Sequence, residues 1–176
     1  MNALHKMYMV SHPLRISRYG AHTSLSSPER VEIIDTMMQA LGAALSILAS
    51  LKQSQEQLRN VSFLPLQDLV RKLLRENIEY TDFLVSGIRD LGGYADVTTL
   101  SSLKDVPESR CFAECLLIIN QEVLRLDATD RMFCEYRQCA FTHKDSASVR
   151  YFDHCIRHTA SFLGLIRKHL VEGEAW

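Results

Sequence analysis

The clearest structural signal in the chain lies in residues 26–48, which read SSPERVEIIDTMMQALGAALSIL. Ser26 is a good helix cap, a proline follows at a first-turn position, and Glu29 stands three residues after the serine, as a capping box requires. Apolar residues then recur every three or four positions, which is the period of an amphipathic helix. They are Val31, Ile34, Met38, Leu41, Leu45 and Leu48. The pattern predicts a long first helix that continues towards Asn60.

A second run with the same period predicts the second helix. Its inner positions are Leu66, Val70, Leu73, Asn77, Tyr80, Leu84 and Ile88. The run stops at Leu91-Gly92-Gly93, where either glycine can adopt the left-handed conformation that ends a helix. Residues 94–106 form a connection in which the segment 98–103 is compatible with a short helix, and long connections of this kind are often functional.

Two more helices are predicted in the second half of the chain. Asp105-Val106-Pro107-Glu108 repeats the capping-box pattern and should open the third helix, which runs to about Cys139. Its inner face reads Phe112, Cys115, Ile119, Val123, Leu126 and Phe133. Asp145 or Ser146 should cap the fourth helix, whose inner positions are Val149, Phe152, Ile156, Thr159, Leu163, Ile166 and Leu170. The sequence predicts an all-α four-helix bundle over residues 28–171, preceded by an N-terminal arm (1–27) and followed by a short tail (172–176).

Composition agrees with one helical domain and limits the compartment. A chain of 176 residues with 47% hydrophobic residues can bury a core without crosslinks, and its low content of Gly (7) and Pro (4) disfavours many short strands. The five cysteines lack zinc-site spacing and a secreted framework, which predicts a reducing, cytoplasmic location. No apolar run of membrane-spanning length and no secretory signal is apparent, so we expect no membrane association.

The N-terminal arm is mildly basic. It carries Lys6, Arg15 and Arg18, and no acidic residue precedes Glu29. Such a segment could contact DNA through its phosphates. An ordinary solvated arm and an organelle transit peptide are the alternatives.

Four features together resemble the Dps-type mini-ferritins, a family of the ferritin-like superfamily. They are the start of the first helix at Arg30-Val31-Glu32-Ile33-Ile34, the end of the second at Ile88-Arg89-Asp90-Leu91-Gly92-Gly93, the short candidate helix in the connection, and Phe162-Leu163. The resemblance covers about residues 28–170. It implies a ferritin-like bundle that assembles into a closed dodecamer, stores iron and protects DNA under stress.

The same resemblance locates the family's iron site, which lies between two subunits. Counted back from Leu91-Gly92-Gly93, the positions that match its two histidines are Gln55 and Gln67. The positions that match its three carboxylates are Arg71, Asp82 and Ser86. Only Asp82 keeps a metal-binding side chain, whereas iron(II) oxidation needs several oxygen or imidazole donors. The sequence therefore predicts a degenerate ferroxidase site. It also lacks the Glu-x-x-His pairs of larger ferritins.

Spacing suggests what replaced the metal. Arg71 and Asp82 are eleven residues apart, so they share a helix face but lie roughly 16 Å apart along it. If two copies of the second helix cross antiparallel, Arg71 of one subunit lies opposite Asp82 of the other. We therefore expect an intersubunit ion pair at the former iron position, the alternative being two ordinary solvated side chains.

Other candidate sites have simpler readings. His154 and His158 are one turn apart and could chelate a metal at two points, although both positions lie beside the predicted core face of the fourth helix. Cys111 and Cys115 are also one turn apart, and we expect small buried hydrophobic side chains rather than a redox pair.

A charged region follows late in the third helix, near the part that forms acidic entry pores in mini-ferritins. Its acidic residues are Asp127, Asp130, Glu135 and Asp145. Basic residues are interleaved with them, namely Arg131, Arg137, His143 and Lys144. The mixture favours a solvated charged surface over a funnel for cations.

Three functions stay open at this point. The first is a Dps-like shell subunit without the ferroxidase step, in which iron would be bound only as mineral. The second is a helical scaffold or protein-interaction module without metal chemistry. The third is a metal-dependent protein with a site relocated to His154 and His158.

Overall fold

A computed structural model describes residues 25–60, 64–95 and 111–171, and four long helices make up most of them. They are α1 (Ser27–Gln57), α2 (Leu64–Asp90), α3 (Phe112–Thr142) and α4 (Ser146–Ile166). One turn of 3-10 helix (Leu58–Asn60) extends α1, and a π-helical turn (Arg167–Val171) extends α4. The described parts of the chain contain no strand. The predicted all-α four-helix bundle is confirmed.

Two helix starts follow the predicted local chemistry. Glu29 accepts hydrogen bonds from the backbone N–H and the hydroxyl of Ser26, at 2.7 and 2.6 Å, and so completes the capping box of α1. Asp145 caps α4, where one carboxylate oxygen accepts from the N–H groups of Ala147 and Ser148. Such caps satisfy N–H groups that have no partner within the helix.

The end of α2 depends on both of its glycines. Gly92 has φ of 87°, in the left-handed region that favours glycine, and the N–H of Gly93 donates to the carbonyl of Ile88 at 2.8 Å. A Cβ on Gly93 would lie 2.8 Å from a methyl carbon of Ile88 and 3.1 Å from Ile34. The predicted glycine stop is confirmed at Gly92, and Gly93 is needed for close packing against α1.

The start of α3 differs from the prediction. This helix begins at Phe112, after Cys111 in an extended conformation, and Glu114 accepts a 2.8 Å hydrogen bond from the N–H of Cys111. The predicted start at Asp105–Glu108 is therefore wrong, because a residue in the cap conformation separates that segment from α3. Residues 105–108, like the short helix predicted at 98–103, lie outside the described part of the chain.

Contacts between helices fix their directions. Near its start α1 contacts the end of α3 through Glu32 and Tyr136, and near its end α1 contacts the start of α3 through Gln53 and Cys115. These two helices are therefore antiparallel. The pairs Arg137–Asp153 and Asp127–Arg167 likewise make α3 and α4 antiparallel.

The two central helices of the sequence run in the same direction. The end of α1 also meets the start of α2, where Gln67 donates to the carbonyl of Leu58 at 2.9 Å, and the end of α2 meets the start of α1. Since α2 and α3 are both antiparallel to α1, they are parallel to each other. This arrangement differs from an up-and-down bundle, in which consecutive helices alternate in direction.

The core is formed mostly by the predicted inner positions. The largest fully buried side chains include Phe133, Phe152, Leu41, Leu73, Leu84 and Ile88. The pattern underestimated α1, which is buried on more of its circumference than one stripe. Ile33, Met37, Ala40, Ala43, Ala44 and Ile47 are all buried as well. The reason is that α1 packs extensively against both α2 and α3.

This burial bears on membrane association. By length and composition α1 could cross a membrane, with a mean hydropathy of 1.5 over its most apolar window. Within the bundle 61% of that window is buried, and core helices of soluble proteins pass the same test. The sequence analysis predicted this helix but did not identify it as long and apolar enough to cross a membrane. The absence of membrane association stays a prediction.

Candidate functional site

Three of the five positions that match iron ligands of the Dps family line one concavity, which we call the Arg71 pocket. It lies where α1 ends and α2 begins, has a volume of about 220 Å³, and is lined by Gln55, Leu58, Arg59, Gln67, Val70 and Arg71. The Gln67 amide nitrogen donates to the carbonyl of Leu58, and a guanidinium nitrogen of Arg71 lies 3.4 Å from the Gln67 amide oxygen. Gln55 and Arg71, 16 positions apart in the sequence, thus line the same pocket.

The donor set of the Arg71 pocket does not fit a metal cation. Among its described lining residues none is acidic, and its charged groups are the guanidiniums of Arg59 and Arg71. Each guanidinium forms an ion pair outside the pocket, Arg59 with Glu56 at 2.8 Å and Arg71 with Asp68 at 2.9 Å. Both pairs are exposed and therefore hold the side chains only weakly. Fixed positive charge opposes iron(II) here, and no iron chemistry follows from these residues.

The other two family positions lie away from this pocket. Asp82 and Ser86 are exposed on α2, and neither lines the Arg71 pocket. Asp82 is three turns beyond Arg71, as the helix spacing predicts. Within one chain these two charged groups do not meet, so the proposed Arg71–Asp82 pair depends on a second copy.

The two histidines of α4 enclose an aromatic ring of α2. The His158 ring stacks on Phe83 with centroids 4.3 Å apart and planes 9° apart, and His154 packs edge-on against both rings. Burial, followed by the positive charges of His158 and Arg157, lowers the pKa of His154. Across the described ranges, no group of three or more His, Cys, Asp or Glu side chains is placed to hold a metal. The pair packs between α2 and α4, and a metal site at these two histidines stays a prediction.

The expectation of two small buried cysteines is confirmed for Cys115 and wrong for Cys111, because Cys111 precedes the first helical turn of α3. Cys115 is buried and its sulfur lies 3.7 Å from the amide oxygen of Gln53, whereas Cys111 is exposed. Cys155 is buried in the core, and burial raises the pKa of its thiol to about 12. All five cysteines, which lie in described segments, are free thiols. The buried ones are small core side chains.

Charged residues of α3 bind α4 rather than forming a purely acidic surface. Asp127 pairs with Arg167, and Arg137 pairs with Asp153. Asp145 is used as the cap of α4. The sequence had placed acids and bases close together, but the partners on α4 could not be read from it because they depend on helix packing.

The bundle interior holds neutral polar groups. The hydroxyl groups of Tyr80 and Thr159 are 3.1 Å apart, and Asn77 donates to the carbonyl of Ala44 at 3.1 Å. Burial raises the pKa of Tyr80 well above its ordinary range, so its phenol stays protonated. Glu122 is the one carboxylate among the buried side chains of the described chain, and it pairs with Arg125. This interior does not provide the carboxylate set of an interior iron centre.

A second concavity, which sequence reasoning missed, lies at the other end of α1. We call it the Glu32 pocket. Its floor is formed by Leu25, Ile33, Tyr136, Ala140 and Phe152. Its rim is formed by Glu29, Glu32, Cys139, His143 and Asp145. The one usable signal was that Glu29 and Glu32 share one side of a predicted helix start, but Tyr136, the partner of Glu32, is 104 positions away.

The basic residues Lys6, Arg15 and Arg18 lie outside the described part of the chain, so a DNA contact through them stays a prediction.

No protein-family model matches the chain, and no curated protein matches it significantly.

Proposed function

We propose that this chain is a subunit of a ferritin-like shell whose intersubunit iron-oxidation site has been replaced by amide and guanidinium groups. The observation that carries the proposal is the Arg71 pocket. Gln55, Gln67 and Arg71 were singled out only because they match ligand positions of the Dps family, and in the fold they line one pocket. The family's site draws its ligands from the end of the first helix and from the second helix, and these three side chains meet at that place, so their position agrees with the assignment.

Helix direction gives independent support. Ferritin-like bundles with one long connection hold their second and third helices parallel, as α2 and α3 are here, whereas an up-and-down bundle holds them antiparallel. Fold alone does not determine function. The helix directions therefore support a ferritin-like bundle, and the function is argued from the residues of the Arg71 pocket.

The exposed face of α2 has charges suited to pairing with a second copy of itself. Arg71 and Arg75 lie before the middle of the helix, and Glu79 and Asp82 lie after it. Around a two-fold axis between these groups, each basic half faces the partner's acidic half. Ile78, which is 47% exposed, lies at the junction and would be covered. In this arrangement Arg71 and Asp82 form the expected intersubunit pair, twice per interface.

The proposed activity is narrower than the family expectation. Iron would be held as mineral inside an assembled shell rather than oxidised at the family position, and any protection of DNA would rest on Lys6, Arg15 and Arg18.

Mass measurement is the first test of the shell. Analytical ultracentrifugation of the full chain at low salt should give a particle of about twelve subunits. A double substitution, Arg71→Asp with Asp82→Arg, exchanges the two charges and should still assemble, whereas Arg71→Asp alone should shift the distribution towards smaller species. A wild-type chain that is only monomer or dimer at all concentrations would contradict the shell.

Restoring metal-binding side chains tests whether these positions form a former iron site. A variant with Gln55→His, Gln67→His, Arg71→Asp and Ser86→Glu, together with the native Asp82, would again present five ligands. We expect it to gain rapid, saturable oxidation of ferrous ion by peroxide, while the wild type shows only the slow solution reaction. Adding Asp82→Asn should remove the gain. Fast saturable oxidation by the wild type, or no gain in a quadruple variant that assembles, would contradict the assignment.

A scaffold or interaction module without metal chemistry is the second candidate, and an exposed apolar surface favours it. Leu117 and Leu124, seven residues apart on α3, are each 64% exposed. Two large apolar side chains on one helix face are typical of a protein-binding surface. If the chain stays monomeric and Leu117→Ser with Leu124→Ser leaves its stability unchanged, this candidate replaces the shell.

A further inference from the structure

The Glu32 pocket has the size and floor of a ligand site. Its volume is about 420 Å³, within the range of small-molecule pockets. Ile33, Ala140 and Phe152 are buried core residues that form its base. Because three helix ends meet here, the concavity belongs to the packed bundle and does not depend on one mobile side chain. A small apolar body could therefore be accommodated.

The rim of this pocket is negatively charged. Glu29, Glu32 and Asp145 lie on it, and among the described residues no lysine or arginine lines the cavity. His143 is the one potential cation on the rim. Its Nδ1 lies 2.9 Å from the backbone carbonyl of Cys139, which fixes the ring by a local hydrogen bond. The pocket as a whole favours a positively charged ligand.

The three carboxylates are not equally available. Glu29 is engaged by Ser26, whose hydrogen bonds lower the pKa of the Glu29 carboxyl, and Asp145 is engaged by the N-terminus of α4. Glu32 accepts one hydrogen bond, from the Tyr136 hydroxyl at 3.2 Å. An ionised carboxylate can accept about four hydrogen bonds. Glu32 therefore has the capacity to bind a further donor.

An aromatic surface lies beside this carboxylate. The Tyr136 ring packs against Phe152 with centroids 5.6 Å apart, and its hydroxyl is held between Glu32 and Thr36. Burial raises the pKa of Tyr136, so the phenol stays neutral near pH 7. A carboxylate next to an aromatic face is a combination that attracts an ammonium group through ion pairing and cation–π contact.

We propose that the Glu32 pocket binds a small organic cation, in which a primary ammonium group pairs with Glu32 and a flat apolar body rests against the partly buried ring of Tyr136. This site lies at the opposite end of α1 from the Arg71 pocket and does not depend on assembly or on iron. The ligand class follows from the charge of the rim and the apolar character of the floor.

Titration calorimetry of the full chain with 2-phenylethylamine tests the proposal, with 2-phenylethanol as the neutral probe of nearly equal shape. We expect saturable binding of the amine and at least about tenfold weaker binding of the alcohol, because a charge-assisted hydrogen bond is lost. Glu32→Gln should weaken the amine about tenfold. Glu56→Gln, at the opposite end of α1, removes the same charge far from the pocket and should leave the affinity unchanged.

Location is tested by a second variant and a second measurement. Tyr136→Leu removes the aromatic face while keeping Glu32, and it too should weaken the amine. In NMR spectra of the wild type, the amine should shift signals of Ile33 and Ala140 and leave those of Val70 unchanged. No saturable binding, equal binding of the alcohol, or full affinity in a folded Glu32→Gln variant would each overturn the proposal.

Discussion

The Arg71 pocket and the Glu32 pocket lie at opposite ends of α1 and have opposite character. The first is small, polar and bordered by two guanidiniums, whereas the second is larger, has a core-like floor and is bordered by three carboxylates. Their separation along α1 is about 38 Å, so they do not influence each other electrostatically at physiological salt. One bundle thus presents two sites of opposite charge.

The largest expected difference concerns the floors of the two pockets. Phe152→Ala, in the Glu32 pocket, should lower the free energy of unfolding by about 3–5 kcal/mol, because it removes a fully buried ring. Val70→Ala, in the Arg71 pocket, should cost about 2 kcal/mol, since fewer buried methyl groups are lost. Urea unfolding followed by circular dichroism measures both. Equal losses would show that the floors do not differ in packing.

Substitution of Asp145, on the rim of the Glu32 pocket, should have the next largest effect on the free energy of unfolding. Asp145→Ala removes the cap of α4 and should cost about 1 kcal/mol. Asp145→Asn is the matched control, because an asparagine oxygen can still accept the two N–H groups, and it should recover most of the loss. Thermal unfolding of the three proteins gives the comparison. A full loss with asparagine would mean that charge, not capping, is the main contribution.

Lowering the pH should destabilise the start of α1, because Glu29 becomes protonated. Its folded pKa is lowered by the hydrogen bonds from Ser26, so the ionised form stabilises the fold. This contribution is present above the ordinary pKa of a glutamate, about 4.3, and is lost as pH falls through the lower folded value. Because Glu29 is exposed, we expect less than about 1 kcal/mol. Wild type and Glu29→Gln should differ at pH 7 and converge below pH 4; a constant difference would contradict this.

The smallest effect is expected at the Arg71 pocket. Arg71→Ala and Arg59→Ala should each change the free energy of unfolding by less than about 0.5 kcal/mol, because both ion pairs are exposed. If Arg71 serves assembly, its substitution should change particle mass without changing monomer stability. Lys72→Ala, on the same helix, is the control for loss of one positive charge. A loss of stability above 1 kcal/mol for Arg71→Ala would assign that residue to folding instead.

Local chemistry accounts for most of what the sequence could predict. The cap at Ser26, the glycine stop at Gly92 and the cap at Asp145 involve residues within three or four positions of each other, and all three are confirmed. The prediction for the start of α3 was wrong for a local reason too. Cysteine is not a common cap residue, and an ordinary capping-box pattern stood a few residues earlier.

The pockets differ in predictability because they differ in sequence distance. The Arg71 pocket joins residues near one turn between adjacent helices, so counting along the chain could locate it. The Glu32 pocket joins Glu32 to Tyr136, which are 104 positions apart, and only the packing of α1 on α3 brings them together. Hydrophobic periodicity contains no information about such a pairing.

The parallel arrangement of α2 and α3 has a consequence for the order of folding. Few residues separate α1 from α2 and α3 from α4, whereas contact between the two pairs brings together residues that are much farther apart in the sequence. We therefore expect each hairpin to form early and their docking to be the slow step. Pulsed hydrogen exchange during refolding should protect helix amides within each hairpin early, and amides of α1 and α3 where these two helices pack on each other should reach full protection last.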